Sequence, residues 1–383
     1  MAGKRIVVLG GGFGGVAAAR TARGLLPAEH SVTLIDRNRV SRLCGMNPLL
    51  IVGERDVRKT GRSLGQLANR GIDFVESEIS SIDTAGKVVH TASGGFEYDY
   101  LVVALGAAYD WDAVPGSELA YSFYNFDTAR RLRRRLSRFR RGKLVISVTA
   151  PPYKCPPAPF ETAMMIHWYF RKQGIRTDSE IMVTIPEPAP MAVAGPLAAQ
   201  QLREDMEKRG IELRTGIGIK AIRPDAMEAE YSDGSSIAAD VIVTVPLHRV
   251  PKIVSESGLT AGKPWTPVTA GTLETGLRDV FAIGDVNVVP FAEGKALPKA
   301  GVFASGQGEN VGARIASRIL GTAEPEAYDG SGECFLAYST GQSAMVGGTF
   351  LGNAGPQVAL KPPTAAGMRS KERFEREWRR FKI

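Results

Sequence analysis

Cysteine is scarce in this chain of 383 residues, which contains Cys44, Cys155 and Cys334 and no others. The three lie far apart in sequence and none belongs to a C-x-x-C pair, so the pattern argues against a structural zinc site and we expect no metal. Because three is an odd number, two hypotheses stay open. Either two cysteines form a redox pair and the third has a separate task, or all three are inert buried thiols.

Long apolar runs are absent as well. No stretch reaches the length of about 20 apolar residues that a membrane-spanning helix needs. The chain as given begins with a short polar segment that leads straight into a predicted strand, not with a signal peptide. The composition, 44% hydrophobic and 23% charged residues, is that of an ordinary globular protein. The length predicts two or three domains.

Positive charge is in excess, with a formal net charge of +8. Much of it lies in two segments, 130–143 and 369–382. A basic balance permits contact with anionic lipid or an acidic protein, although a solvated helix face is the commoner meaning of such a run. No nucleic-acid-binding motif accompanies the charge, so we expect no nucleic-acid partner.

The N-terminal segment 4–37 contains the motif around which the chain is organised. A short apolar strand precedes Gly10, Gly12 and Gly15 in the spacing G-x-G-x-x-G, and a predicted helix and a second strand ending at Asp36 follow. The glycines permit a tight turn, close approach of the backbone to a pyrophosphate, and packing of the helix on the sheet. The helix N-terminus binds phosphate, and Asp36 accepts hydrogen bonds from an adenosine ribose. A glycine-rich turn in an unrelated α/β fold is the alternative.

Two later motifs indicate that this dinucleotide is FAD and not NAD. The buried strand 98–106 ends in Gly106, where a glycine allows close approach to a cofactor. A second apolar strand ends in a Gly-Asp pair at Asp285, typical of flavoproteins in which the aspartate hydrogen-bonds the ribityl chain. Lys299 follows, near the expected pyrimidine end of the flavin, where a cation stabilises the anionic reduced form. The alternative for Lys299 is an ordinary surface lysine.

A second dinucleotide-type fold is expected from residue 144 onward, but it lacks a glycine motif. Its first strand, 144–148, is followed by TAPPYKCPPAPFE, from Thr149 to Glu161. Proline has no N–H, so this turn offers few donors and no close approach for a pyrophosphate. We therefore expect no bound NAD(P)H in the second fold. The patterns also predict helices at 57–71 and 121–141.

At KCPPAPFE the chain resembles the sulfide:quinone oxidoreductase and flavocytochrome c sulfide dehydrogenase family. The glycine motif, LVVALG, VFAIGD, PKAGVF and GECFLAYS match it in order, over nearly the whole chain. The resemblance implies a glutathione-reductase-like flavoprotein: an α/β fold with two Rossmann-like dinucleotide-binding folds plus a C-terminal region. On this plan we assign the first part of the FAD-binding domain, the second Rossmann-like domain, the second part of the FAD-binding domain and the C-terminal region to residues 1–115, 116–265, 266–322 and 323–383.

The resemblance also implies catalytic roles. Cys155 and Cys334 match the redox pair that lies beside the isoalloxazine in this family. Glu161 matches an acid near that pair, which could shuttle protons if burial raises its pKa. The alternative for Glu161 is a carboxylate in the first turn of a helix that interacts with the helix dipole.

The third cysteine distinguishes the branches of the family. Cys44 resembles the cysteine that tethers FAD covalently in flavocytochrome c sulfide dehydrogenases. Quinone-reducing members often carry a further active cysteine, followed by a histidine, where this chain has Tyr124 and Thr128. The cysteine pattern therefore favours the flavocytochrome branch.

The implied function is FAD-dependent oxidation of sulfide to sulfur or polysulfide, with electrons passed to a quinone. The alternative acceptor is a cytochrome c or a heme c partner, and a homodimer is an implied assembly. Two functions of other classes remain. One is a type II NADH:quinone oxidoreductase, which the missing second glycine motif disfavours. The other is a non-catalytic flavoprotein that scaffolds a partner through its basic helix.

The C-terminal segment 368–383 predicts an amphipathic helix. Phe374, Trp378 and Phe381 fall on one face and arginine and lysine dominate the rest, the pattern of a helix that lies in a membrane interface. The alternative is a helix whose aromatic face docks on the body of the protein or on a second subunit. We expect a peripheral membrane protein on the cytoplasmic side, or a periplasmic one if a precursor was processed.

Overall fold

The structure is a computed structural model of the chain, and it describes residues 3–223, 225, 227–292, 294–352 and 355–381. Parallel strands and covering helices form two α/β units, and an antiparallel sheet with a final helix completes the fold. This is the α/β flavoprotein architecture predicted from the sequence. No helix in the described ranges is both long and apolar enough to cross a bilayer.

The first α/β unit is built on the glycine-motif strand. Its central strand pairs in parallel with the strand that ends at Asp36, with Ile6 opposite Val32. On its other side it pairs with the strand that precedes Gly106. The elements are β1 (Arg5–Leu9), α1 (Phe13–Leu25), β2 (Ser31–Asp36), β3 (Val40–Arg42), α2 (Asn47–Ile51), β4 (Gly61–Ser63), β5 (Asp73–Glu76), β6 (Ile79–Asp83), β7 (Val88–Thr91), β8 (Gly94–Glu97), β9 (Tyr100–Val103) and β10 (Ala108–Asp110).

The predicted helix over 57–71 is wrong. The segment instead contains a 3-10 turn at Val57–Lys59, the strand β4 and a 3-10 helix at Leu64–Arg70. Strand β4 pairs with β3, with Arg42 opposite Gly61. A Cβ atom on Gly61 would lie 2.7 Å from Val40 Cγ1, so the close approach of these two strands needs the glycine. Here the pairing of β4 with residues distant in sequence outweighs the local helix propensity.

The second α/β unit is a four-stranded parallel sheet in the order β13-β12-β11-β17, with Leu144 of β11 between Ile181 and Val241. A small antiparallel sheet and strand β18, which pairs with β10 of the first unit, complete it. The helix predicted at 121–141 is shorter than expected. The elements are α3 (Phe126–Ser137), β11 (Gly142–Val148), α4 (Ala158–Lys172), β12 (Ser179–Ile185), α5 (Pro196–Glu207), β13 (Ile211–Thr215), β14 (Ile219–Arg223), β15 (Glu228–Tyr231), β16 (Ser236–Ala238), β17 (Val241–Val245), β18 (Leu247–Arg249) and α6 (Lys252–Glu256).

The chain then returns to the first sheet. Strand β20 pairs in parallel with β9, so the sheet order is β20-β9-β1-β2-β5. The long helix α7 packs against α1, where Cβ atoms on Gly308 and Gly312 would lie 2.3 and 2.6 Å from carbonyl oxygens of α1. The elements are β19 (Thr266–Pro267), β20 (Val280–Ala282), β21 (Asn287–Val288), β22 (Pro290–Ala292), β23 (Lys295–Ala296) and α7 (Gly301–Leu320).

The C-terminal region closes the structure over the second unit. A three-stranded antiparallel sheet carries Cys334 on its edge strand, and the final helix packs against that sheet. Its elements are β24 (Gly332–Ala337), β25 (Ser343–Thr349), β26 (Gln357–Thr364) and α8 (Ala365–Arg379). Residues of α4, β24 and α8 share one hydrophobic core with the second sheet, and Phe350 and Phe381 lie in the core of the first unit. The C-terminal region therefore packs against both units.

Candidate functional site

A cleft of about 910 Å³ runs from the glycine turn after β1 to the start of α4 and the inner face of α8. Its floor is formed by the carboxyl ends of the parallel strands in the first sheet, the usual location of a ligand in open α/β sheets. Of the predicted site residues, it is lined by Gly10, Gly12, Asp36, Cys44, Gly106, Cys155, Glu161, Asp285 and Cys334. Gly15 and Lys299 lie behind this lining.

The glycine turn has the shape that a pyrophosphate needs. Gly10 has a φ of +101°, and a Cβ there would lie 2.4 Å from the carbonyl oxygen of Ala104. A Cβ on Gly15 would lie 1.9 Å from the oxygen of Gly10, so α1 packs too closely on the turn for any side chain. A Cβ on Gly12 would meet nothing within 4 Å and would project into open space instead. No side chain caps the N-terminus of α1, which leaves its first N–H groups for a ligand.

Asp36 stands at one edge of the cleft. Its Oδ2 accepts a hydrogen bond from the N–H of Gly11 at 2.6 Å, and its Oδ1 accepts from the N–H of Asn38 at 2.7 Å. These bonds hold the carboxylate at the end of β2, where it can still accept from ribose hydroxyls through its remaining lone pairs.

Asp285 lies on the opposite side of the glycine turn. Its Oδ1 is buried and has no hydrogen-bond partner in the described structure. A buried carboxylate oxygen without a partner is costly, and a ligand hydroxyl in the cleft removes that cost. Gly106, which has a φ of +69° and open space where a Cβ would lie, forms part of the wall of the cleft.

The residues present therefore fit FAD. Asp36 can hold the adenosine ribose, the N-terminus of α1 the pyrophosphate, and Asp285 the ribityl chain. FAD in such a cleft supplies a reversible two-electron acceptor.

Lys299 lies under the floor of the cleft. Its Nζ donates to the carbonyl oxygens of Asp285 at 2.7 Å and Asn287 at 2.9 Å, and it lies 3.5 Å from the ring centroid of Trp265. The residue is 8% exposed, and burial lowers the pKa of its ammonium to about 8. Lys299 thus holds the backbone around Asp285 and is not the ordinary surface lysine of the alternative. Its predicted place near the pyrimidine end of the flavin stays a prediction.

All three cysteines line the same cleft, and all three are free thiols. Cys155 has a φ of +52°, a strained conformation for a residue other than glycine, and its N–H donates to the carbonyl oxygen of Lys299 at 2.6 Å. Burial raises the pKa of the Cys155 thiol well above its usual range, and the neighbouring Cys334 and Glu161 raise it further. Burial also raises the pKa of Cys334, to about 12.

A buried ion pair lies next to these two thiols. Lys371 Nζ of α8 is 2.6 Å from Glu161 Oε1 of α4, and the two residues are 3% and 2% exposed. The same oxygen accepts from the N–H of Ala337 at 3.1 Å. Burial raises the pKa of Glu161, although Lys371 acts in the opposite direction. Glu161 does lie in the first turn of α4, but these partners come from the C-terminal region.

Lys371 is a site residue that the sequence missed. Periodicity places it among the basic residues of the predicted tail helix, and no local signal distinguishes it from the arginines around it. One lysine among several arginines does not by itself indicate a buried, functional side chain.

The aromatic face of α8 packs on the body of the protein, so its predicted contact with a membrane is wrong. Phe374 stacks on Phe13 with ring centroids 5.8 Å apart, and its ring centroid is 5.7 Å from that of Phe335. Trp378 and Phe381 are 1% and 3% exposed. Of the two hypotheses for the tail, the structure agrees with the one in which the aromatic face docks on the protein itself.

Lys154 and Tyr124 complete the wall beside the cysteines. Tyr124, at the position where family members carry a cysteine, is 6% exposed and donates its hydroxyl to the carbonyl oxygen of Lys154 at 2.7 Å. The Lys154 ammonium lies 4.7 Å from the ring centroid of Tyr109. Neither residue was singled out for a role in the cleft from the sequence.

The turn between β11 and α4 has few free N–H donors for the pyrophosphate of a second dinucleotide. The N–H groups of Cys155, Ala158 and Glu161 are all bonded to carbonyl oxygens of the protein. Pro156 and Pro157 have no N–H. The first turn of α4 is thus short of the free donors that an NAD(P)H pyrophosphate needs.

Comparison with known proteins agrees with this geometry. The family model described as pyridine nucleotide-disulphide oxidoreductase matches residues 4–148, and the model described as sulfide dehydrogenase (flavocytochrome c) flavoprotein chain, central, matches residues 129–246. A sulfide-quinone reductase of Aquifex aeolicus is 28% identical over 77% of this chain and 71% of its own length. A type II NADH:quinone oxidoreductase of Staphylococcus saprophyticus is 26% identical over 90% of each chain.

A solved structure extends the match to the whole fold. The X-ray structure of the sulfide:quinone oxidoreductase from Aquifex aeolicus superposes with a TM-score of 0.88 at 25% identity, covering 99% of this chain and 92% of that one. The protein is a flavin-dependent oxidoreductase with FAD as its cofactor. It is similar, over nearly the whole chain, to flavoproteins of the sulfide:quinone oxidoreductase and flavocytochrome c sulfide dehydrogenase family.

Proposed function

We propose that the protein oxidises sulfide to sulfur or polysulfide through a Cys155–Cys334 disulfide and passes the electrons through FAD to a quinone. The observation that carries this proposal is the meeting of two cysteines and a buried ion pair, Glu161–Lys371, in the cleft that holds the FAD-binding elements. The proposal is supported by relatives named sulfide-quinone reductase and sulfide:quinone oxidoreductase, and by the match of residues 129–246 to the central model of a sulfide dehydrogenase flavoprotein chain.

The proposed chemistry begins with the two cysteines joined. Hydrosulfide attacks one sulfur of the disulfide, and a new sulfur–sulfur bond forms a persulfide on that cysteine. The bond between Cys155 and Cys334 breaks, and its electron pair leaves on the other cysteine as a thiolate. A second hydrosulfide attacks the outer sulfur of the persulfide, which leaves as a disulfide-level polysulfide and frees that cysteine as a second thiolate. FAD, when bound, would accept the two electrons that are released as the two thiolates rejoin as the Cys155–Cys334 disulfide.

The buried pair supplies charge and a proton acceptor for this step. The Lys371 ammonium lowers the pKa of both thiols, against the larger effect of burial, and so stabilises the thiolate that is left behind. The Glu161 carboxyl, with its pKa raised by burial, is suited to accept the proton of the persulfide and release it later.

Stopped-flow spectroscopy tests the proposal directly. Anaerobic addition of sulfide to the FAD-loaded protein should bleach the flavin absorbance, and a short-chain ubiquinone such as decylubiquinone should restore it. A protein that sulfide does not bleach refutes the proposal and favours a non-catalytic flavoprotein. Restoration by cytochrome c and not by the quinone would move the acceptor to a heme partner.

The second candidate is a type II NADH:quinone oxidoreductase. It is supported by relatives of that name that are 26% identical over 90% of this chain. The start of α4 argues against this candidate. Its N–H groups are already hydrogen-bonded or are missing at proline, whereas the pyrophosphate of NADH needs free donors there. Reduction of the flavin by NADH at a rate comparable with sulfide would favour this candidate; we expect NADH to be inert.

A quinone acceptor requires contact with a membrane, and we propose that arginine side chains on α8 make it. The aromatic face of α8 is buried, but Arg369, Arg373, Arg376 and Arg380 are exposed. Their spacing of four, three and four residues puts them on one helical face. Each basic residue near an anionic surface contributes on the order of 1 kcal/mol.

The proposal of a peripheral membrane protein is tested by sedimentation with vesicles. The fourfold change of Arg369, Arg373, Arg376 and Arg380 to glutamine should abolish binding to vesicles that contain phosphatidylglycerol. A matched control changes Arg138, Arg140, Arg141 and Arg214, which are not on α8, to glutamine. Equal loss in both variants would show that net charge alone matters, and unchanged binding in the α8 variant would refute the membrane contact. Deletion of the tail is unsuitable, because it removes Lys371 and Trp378 from the core.

A further inference from the structure

The cationic side chains that line the cleft differ in what already neutralises them. Within the described ranges, the ammonium or guanidinium groups of Arg37, Lys252 and Lys371 form ion pairs with carboxylates. Arg42 and Lys154 lie over aromatic rings and form no ion pair with a carboxylate in the same ranges. A cation in a cleft without a carboxylate partner is available to an anionic ligand.

Arg42 and Lys154 occupy different depths. Arg42 is exposed at the rim, 4.3 Å from the ring centroid of Phe126. Lys154 is half-buried and precedes Cys155 directly in the chain. Burial alone would lower the pKa of the Lys154 ammonium, but Tyr109, Cys44 and Asp285 raise it above its ordinary value. Lys154 therefore remains charged at neutral pH, in the lining of the cleft that the thiols share, with Cys44 and Asp285 near its ammonium.

The position of Lys154 is held by its surroundings. Its carbonyl oxygen accepts the hydroxyl hydrogen bond of Tyr124, and the Tyr109 hydroxyl donates to the carbonyl oxygen of Tyr124 at 3.1 Å. The rings of Tyr109 and Tyr124 pack edge to face on that of His248, with centroids 5.0 and 5.1 Å away. This aromatic wall limits where the ammonium can move.

The wall also indicates which anion fits. Around the ammonium lie the Tyr109 ring, the sulfur of Cys44 and the Asp285 carboxyl, whose negative charge repels a multiply charged anion. Such surroundings favour a small, polarisable, weakly hydrated anion over a phosphate, which needs several donors. Hydrosulfide and short polysulfides are anions of that kind.

We propose that Lys154 is the binding residue for the anionic sulfur substrate, and that it holds hydrosulfide beside Cys155 before attack. This inference rests on the proposed oxidation of sulfide. It assigns to Lys154 a task separate from those of Lys371, which neutralises Glu161, and Lys299, which supports the backbone under the flavin site.

The test compares FAD-loaded Lys154→Met, Lys154→Arg and Arg42→Met with the wild type. In Lys154→Met the sulfide concentration for half-maximal flavin reduction should rise at least about tenfold, the effect of losing one charge-assisted hydrogen bond. The limiting rate at saturating sulfide should change far less. Lys154→Arg should restore most of the affinity, and Arg42→Met, which removes an equally unpaired charge at the rim, should change it less than about twofold, the effect of a screened surface charge.

A second measurement does not depend on turnover. Thiocyanate, a polarisable anion that does not reduce flavin, should perturb the flavin spectrum of the wild type and of Arg42→Met on titration, and Lys154→Met should need a much higher concentration. If sulfide does not bleach the wild type, the proposed function fails, and this titration still decides whether Lys154 is an anion site. If sulfide reduces the wild type and Lys154→Met with the same concentration dependence, the role of Lys154 is overturned and the proposed function stands.

Discussion

The buried Glu161–Lys371 pair makes the sharpest prediction about stability. Lys371→Met leaves the Glu161 carboxyl without its ammonium partner in a site where Glu161 is 2% exposed. Removing one member of a buried pair lowers the free energy of unfolding by about 3–5 kcal/mol. The N–H of Ala337 remains as a donor to the carboxylate, so we expect the lower end of that range.

The loss should depend on pH. Without Lys371, burial is unopposed by the ammonium and the pKa of Glu161 in the folded protein rises further. The folded variant then binds a proton that the unfolded chain has released above its ordinary carboxyl pKa. Since the folded state holds more protons, its stability falls as pH rises toward the raised pKa. Lys371→Met should therefore be closer to wild type at pH 5 than at pH 8.

Chemical denaturation of the FAD-loaded proteins at the two pH values measures both effects. The control is Lys172→Met, which breaks the Lys172–Glu54 pair at the other end of α4, where the side chains are 54% and 27% exposed. That change should cost less than about 1 kcal/mol and show little dependence on pH. If Lys371→Met is no more destabilising than Lys172→Met, or equally destabilising at both pH values, the account of the buried pair is wrong.

Three further predictions concern the cleft. Cys155→Ser and Cys334→Ser should each abolish reduction of the flavin by sulfide in stopped-flow while FAD stays bound; retention of more than about a tenth of the rate, a loss of only ~1.4 kcal/mol, would contradict the disulfide. Asp36→Ala should weaken FAD retention on gel filtration, whereas an NAD-bound, flavin-free protein would refute the assignment of the cofactor. Cys44 should carry FAD as a thioether, so trichloroacetic acid should leave the yellow colour in the pellet; free FAD in the supernatant would make Cys44 a packing residue.

The sequence by itself determined the first half of the site. The glycine spacing, Asp36 and the Gly-Asp pair at Asp285 act through local geometry, because a turn between a strand and a helix places its own backbone at the carboxyl end of the sheet. The turn with few donors before α4 was also visible, since a proline without an N–H is unable to donate in any fold.

Tertiary structure alone decided what surrounds the thiols. Lys371 reaches Glu161 because α8 folds back across the start of α4, a contact between residues 210 positions apart that no local pattern encodes. The same packing buries Trp378 and turns the aromatic face of α8 inward, where hydrophobic periodicity permits either a membrane or a protein surface. Periodicity gives the direction of a face, but what covers that face depends on the rest of the chain.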